Sequence, residues 1–128
     1  MLDSEIAHRG LVLLGCGKMG SALLEGWMNR GLPAASVHVI DPQPSDWLRA
    51  SGVALNGDLP PSPAIALLAV KPQIMDNALP RLAGLGGGKT LFLSVAAGVT
   101  LARLETTLGH ATPIIRSIPN TPAAVGQG

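Results

Sequence analysis

Short apolar runs alternate with amphipathic stretches along most of the chain. Leu11 to Leu14 is an unbroken apolar run that ends in glycine, the pattern of a strand buried on both faces. Met19, Ala22, Leu23, Gly26 and Trp27 then recur at helical spacing, and Gly31-Leu32-Pro33 stops the helix. Val37, Val39 and Ile40 predict a second strand that leaves through Asp41 and the rigid Pro42-Gln43-Pro44, with Ser45 placed to cap a short helix. Gly52 to Leu55 reads as a third strand, and the proline-rich stretch 59–63 as a loop. Ile65 to Val70 is a fourth strand ended by Lys71-Pro72, followed by a helix with Ile74, Ala78, Leu82 and Leu85 on its apolar face. Leu91 to Val95 is a fifth strand. Thr100 caps a helix carrying Leu101, Leu104 and Leu108, with Glu105 in the neighbourhood of a capping box, and Ile114-Ile115 begins a sixth strand. This alternation of strand and helix, with short connections, predicts an α/β fold: a Rossmann-like open parallel sheet with helices on both faces.

Residues 1–10 read as a polar N-terminal tail and residues 11–128 as one dinucleotide-binding domain. A chain of 128 residues is too short for the usual two-domain oxidoreductase. Hydrophobic residues make up 47% and charged residues 13%, a composition that excludes charge-driven disorder and leaves part of the surface for a partner. The formal charge of +1, the lack of any Lys/Arg cluster, and a content of one Phe, two Trp and no Tyr argue against nucleic-acid binding. The apolar runs are too short to span a bilayer, and the first ten residues do not form a secretory signal. The single cysteine, Cys16, cannot form an internal disulfide and fits a reducing cytoplasm. His8, His38 and His110 lie far apart, so neither a metal site nor a catalytic triplet is expected.

The chemistry concentrates at Gly15-Cys16-Gly17-Lys18-Met19-Gly20, a G-x-G-x-x-G loop that follows a strand and opens a helix. In that context the first glycine allows the tight turn and the second admits a pyrophosphate to the backbone. The third lets the helix pack closely on its strand, while the helix N-terminus faces the anion. Cys16 occupies a variable position of the loop, and Lys18 reaches either a phosphate or water. Asp41 ends the second strand about 20 residues past Gly20, where the fingerprint puts the carboxylate that binds a ribose 2′-hydroxyl. A carboxylate there repels a 2′-phosphate, and no Arg or Lys occurs between Asp41 and Arg49 to offset it, so NAD(H) is favoured, with NADP(H) possible. The bland alternative for Asp41 is an acid that begins a turn. Gly84 to Thr90 ends like a Walker A loop but has the wrong glycine spacing and runs from helix to strand, so it is discounted.

Three further stretches are unusual: Ala69-Val70-Lys71-Pro72-Gln73, Ser94-Val95-Ala96-Ala97-Gly98-Val99, and residues 116–123, which include Asn120-Thr121-Pro122. With the glycine loop, in this order, they resemble the N-terminal dinucleotide-binding domain of pyrroline-5-carboxylate reductase over about residues 11–128. The resemblance implies hydride transfer from a reduced nicotinamide to 1-pyrroline-5-carboxylate, giving L-proline. It also implies a C-terminal helical domain, absent from this chain, that binds the substrate and forms a homo-oligomer. Val70-Lys71-Pro72 and Ala96-Ala97-Gly98 follow strands directly and, with Ala69, are expected on the cofactor, on its nicotinamide side. Lys71 otherwise snorkels to water. Asn120 either orients the nicotinamide carboxamide or the bound imine, or caps its turn, and Asn56 either touches the adenosine ribose or only shapes its loop. No catalytic residue is assigned. Two other readings stay open: a non-catalytic NAD(H)-binding module, and the cofactor domain of a hydroxy-acid dehydrogenase. Many members of the resembled family carry a small polar residue where this chain has Asp41, and they often favour NADPH.

Overall fold

The computed structural model describes residues 2–15, 17–85, 88–95 and 98–116. Six strands form one sheet: β1 (Leu11–Leu14), β2 (Val37–Ile40), β3 (Ala54–Leu55), β4 (Ile65–Leu68), β5 (Leu91–Ser94) and β6 (Ile114–Arg116). Their order is β3-β2-β1-β4-β5-β6, and every pairing among them is parallel. Five α-helices, α1 (Leu2–Arg9), α2 (Lys18–Asn29), α3 (Asp46–Ala50), α4 (Pro72–Ala78) and α5 (Leu101–Leu108), and two 3-10 segments, Ala34–Ser36 and Leu79–Leu85, complete the described fold.

The continuous apolar run of β1 divides by alternation into two cores. Val12 and Leu14 join Ala66, Leu68 and Phe92 in one cluster, closed by Met75, Leu79 and Leu82 and by Leu104 and Leu108 of α5. Leu11 and Leu13 join Val37, Val39, Ile65 and Leu67 in the other, closed by Ile6 of α1, Leu24 of α2 and Leu48 of α3. Helices therefore cover both faces of the central strands β1 and β4, every residue of which is buried, whereas the edge strands β3 and β6 keep exposed residues.

Several local expectations change. Residues 2–9, read as part of a polar tail, form α1, which Ile6, at 5% exposure, anchors in the core. Arg9, at its end, fastens it further. The guanidinium donates to the backbone carbonyls of Ser62 at 3.1 Å, Pro63 at 3.3 Å and Lys89 at 3.0 Å.

On α2 the buried position is Leu24, with Leu23, Trp27 and Met28 partly buried beside it, so Ala22 and Gly26 fall on the solvent side. The helix read from Ile74 to Leu85 becomes α4 and then a 3-10 segment, Leu79–Leu85. Pro80 cannot donate the amide that an α-helix needs there. The core face is Met75, Leu79 and Leu82, which leaves Ile74 47% exposed. At α5 the Thr100 hydroxyl accepts from the Arg103 amide as expected, but the capping-box position is Arg103, and Glu105 instead meets His110 at 3.4 Å. Thr90, the last residue of the Walker-like stretch, is buried and donates to the Pro63 carbonyl, which places it at the start of β5.

Candidate functional site

In a parallel sheet whose strand order reverses, two neighbouring strands send their following helices to opposite faces, and a crevice opens at their carboxyl ends. Here the reversal falls between β1 and β4. The helix after β1 packs on one core and the helix after β4 on the other. An open cleft of about 760 Å³ lies at that point. Gly15, Gly17 and Ser21 line it from the β1 exit and α2. Asp41, Pro42, Gln43 and Ser45 line it from the β2 exit, and Ala69, Val70, Lys71 and Ile74 from the β4 exit and α4.

The floor of the cleft is built from backbone. The Gly15 amide donates to the Ile40 carbonyl at 2.8 Å, and the Ala69 amide to the Leu14 carbonyl at 2.9 Å, so the three exits are tied one residue beyond their strands. Gly15 has φ +78°, and a Cβ there would stand 2.5 Å from Val70 Cγ1. Gly20 is close-packed as well, since a Cβ would meet the Gly15 carbonyl at 3.3 Å and Ala69 Cβ at 3.4 Å. Gly17 differs: nothing lies within 4 Å of the position its Cβ would take. The protein's own packing thus accounts for Gly15 and Gly20, whereas Gly17 keeps space clear on the cleft side. Gly17 is also the N-cap of α2 and has no side chain with which to cap it, so no capping side chain would compete with an anion for the first-turn amides. These residues fit a dinucleotide.

At the β2 exit, Asp41 Oδ1 accepts from the Gln43 amide at 2.9 Å, so the carboxylate holds its own turn while lining the cleft. A carboxylate has about four acceptor positions, so the bond to the turn does not by itself exclude a ribose hydroxyl. Asn56 lies behind Asp41, and both ends of its side-chain amide bond the Asp41 backbone.

At the β4 exit, Lys71 is the N-cap residue of α4 and Pro72 its first helical residue. Arg103 of α5 braces this turn, donating to the Pro72 carbonyl at 3.0 Å and to both carboxylate oxygens of Asp76 at 3.0 Å. Asp76 is held below its ordinary 3.8, first by the hydrogen bond from Arg103 and against the opposing effect of desolvation. A depressed carboxylate contributes stability in full above 3.8 and loses it as pH falls through the lowered value. Asp76→Asn is therefore expected to lower the melting temperature at neutral pH, with the gap from the parent closing in strong acid. Thermal melts across that range check this, and a gap that stayed constant would mean that the ionised pair contributes nothing.

The structure brings Gly15, Gly17, Asp41, Ala69, Val70 and Lys71 to one cleft, with Gly20, Pro72 and Asn56 supporting it. Lys18 and Met19 begin α2. Gly98 has φ +81° with nothing within 4 Å of a Cβ, so its conformation demands glycine, not its surroundings. Cys16, Ala96, Ala97 and Asn120 lie outside the described residues. Sequence reasoning missed Ser21, Pro42, Gln43, Ser45 and Ile74 as lining residues. Ile74 carried a signal, because Met75, Leu79 and Leu82 satisfy a helical face without it. Among the described residues no cluster of three metal-ligating side chains occurs, and no helix is long and apolar enough to cross a membrane.

The family described as NADP oxidoreductase, coenzyme F420-dependent, matches residues 10–98. The pyrroline-5-carboxylate reductase of Pseudomonas aeruginosa is 33% identical over 92% of this chain and 45% of its own length. That of Escherichia coli is 37% identical over 90% of this chain and 45% of its own. Among solved structures, a pyrroline-5-carboxylate reductase from Coxiella burnetii superposes with a TM-score of 0.79 at 28% identity, covering 91% of this chain and 46% of that one. The Plasmodium falciparum pyrroline carboxylate reductase, solved with NADP bound, gives 0.72 at 25% identity over 94% of this chain and 45% of that one. The chain thus spans about half the length of the relatives it matches. The matched residues include the glycine loop, Asp41 and the Lys71-Pro72 turn, and on that match the chain belongs to the NADP oxidoreductase, coenzyme F420-dependent, family.

Proposed function

We infer that this chain is the cofactor-binding part of an NAD(P)H-dependent reductase that converts 1-pyrroline-5-carboxylate to L-proline. The observation that carries the reading is the cleft at the β1/β4 reversal, which Gly15 and Gly17 of the glycine loop line together with Lys71. The names of the relatives supply the substrate. A bound reduced nicotinamide supplies the hydride that the C=N carbon accepts, while the imine nitrogen takes a proton.

The work of this chain is to bind and orient. Gly15 and Gly17 bring the backbone to the pyrophosphate beside the α2 N-terminus, and Asp41 receives the ribose. Lys71, Pro72 and Gly98 frame the nicotinamide side. Asp41 makes NADH the preferred donor, because its charge opposes the extra phosphate of NADPH. This choice departs from the NADP of the family description and of the P. falciparum structure. Substrate binding and assembly into a homo-oligomer belong to the remainder of a longer protein, and the single cysteine supports a reducing cytoplasm as its setting.

The test is a protein of the relatives' full length that carries this chain, assayed for oxidation of NADH by 1-pyrroline-5-carboxylate. Turnover on the imine and none on 2-hydroxy acids is the expected result. Activity on a hydroxy acid alone would overturn the reading in favour of a dehydrogenase, and nucleotide binding without turnover on either would favour a sensing module.

A further inference from the structure

We propose that Asn56 is a positioning residue that sets nucleotide preference by fixing Asp41, and not a group that contacts the nucleotide. The proposal rests on the dinucleotide reading of the cleft. Asn56 has φ +53° and is the one non-glycine residue with positive φ among the described residues. Asparagine tolerates this conformation better than most side chains. Its backbone amide donates to the Val39 carbonyl at 2.7 Å, which carries the β2–β3 ladder one step past Leu55. Its side chain then turns back on β2. Oδ1 accepts from the Asp41 amide at 2.8 Å, and Nδ2 donates to the Asp41 carbonyl at 2.8 Å.

A side-chain amide thus takes the place that the next peptide group of β3 would have held, at the point where the strand ends. Asp41 has both of its main-chain groups paired to one side chain, and its Oδ1 is held by the Gln43 amide. Backbone and carboxylate are both fixed before any ribose arrives, which is the preorganisation that discrimination between a hydroxyl and a phosphate requires. Only an amide supplies one acceptor and one donor in this geometry. Aspartate would set an oxygen against the Asp41 carbonyl, and glycine would keep the backbone conformation but lose the clamp.

The experiment is a fluorescence titration of the chain with NADH and with NADPH, for the parent, Asn56→Gly, Asp41→Ala and the double variant. Asn56→Gly is expected to weaken NADH by about tenfold while leaving NADPH within about twofold. In the Asp41→Ala background the same change is expected to shift the ratio by less than about twofold, since the residue it positions is gone. Asn56→Asp, which keeps the acceptor for the Asp41 amide, is expected to shift the preference in the same direction, with circular dichroism reporting that the fold is kept. Equal loss of both nucleotides on Asn56→Gly, in either background, would overturn the proposal in favour of direct contact. A parental preference for NADH that neither Asn56 variant moves would overturn the proposal alone. Equal affinities in the parent would overturn the Asp41 reading and this proposal with it.

Discussion

Gly15→Ala is expected to lower nucleotide affinity by more than about 100-fold and to destabilise the fold by about 2–4 kcal/mol. The residue sits at φ +78°, a conformation that costs a Cβ-bearing residue about 1–2 kcal/mol, and the new carbon would lie 2.5 Å from Val70 Cγ1. Rotating the valine away does not resolve the clash, because the Val70 backbone nitrogen and Cα lie at 3.1 and 3.2 Å. The β1 and β4 exits must therefore shift apart, and residues of both line the cleft.

Gly17→Ala supplies the contrast. With nothing within 4 Å of the new carbon, its stability should stay within about 0.5 kcal/mol of the parent. Its affinity should still fall, because the space it fills is the space a pyrophosphate needs. Titration with NADH and a denaturant melt on each variant separate the two effects. Parental affinity in Gly17→Ala would show that the second glycine makes room for no ligand.

Phe92→Ala is expected to cost about 3–5 kcal/mol, a large share of the roughly 5–15 kcal/mol that stabilises a domain. Phe92 is the one phenylalanine of the chain, fully buried on β5. It packs in the cluster that joins β1 and β4 to α4 and α5. Its removal leaves a cavity that the rigid strands on either side cannot close. The shift in the midpoint of urea unfolding, at unchanged slope, measures the effect. A loss below about 1 kcal/mol would mean that Met75, Leu79 and Leu82 collapse into the space.

The local course of the chain was legible wherever one residue type answered one local need. The glycine loop, the Ser45 and Thr100 caps and the apolar strands all read directly, because each depends on neighbours a few residues away. Asp41 was legible as a lining residue, and its turn-forming role proved compatible with that reading. What escaped was set by distant partners. The sequence 2–9 looks polar although Ile6 anchors it in the core, and the three carbonyls that hold Arg9 are more than fifty residues away. Asn56 was legible as a candidate, but its engagement with Asp41 depends on a strand pairing that periodicity does not reveal. Strands buried on both faces lose the alternation that would say which helix covers which side. The displaced faces of α2 and α4 show the same limit, because a Leu-Leu or Ile-Met pair offers two equally apolar candidates one residue apart.

The Arg9 clamp grips the segments that lead into β4 and β5, whereas the cleft opens where β1, β2 and β4 end. Since all the strands run the same way, these are opposite rims of the sheet, separated by a strand of four residues, or about 13 Å. One rim is a fastening and the other an opening, with a rigid slab between them. Sequence change at the N-terminus is thereby insulated from nucleotide recognition: the lower rim can be tightened or loosened while the geometry that meets the ligand stays as it is.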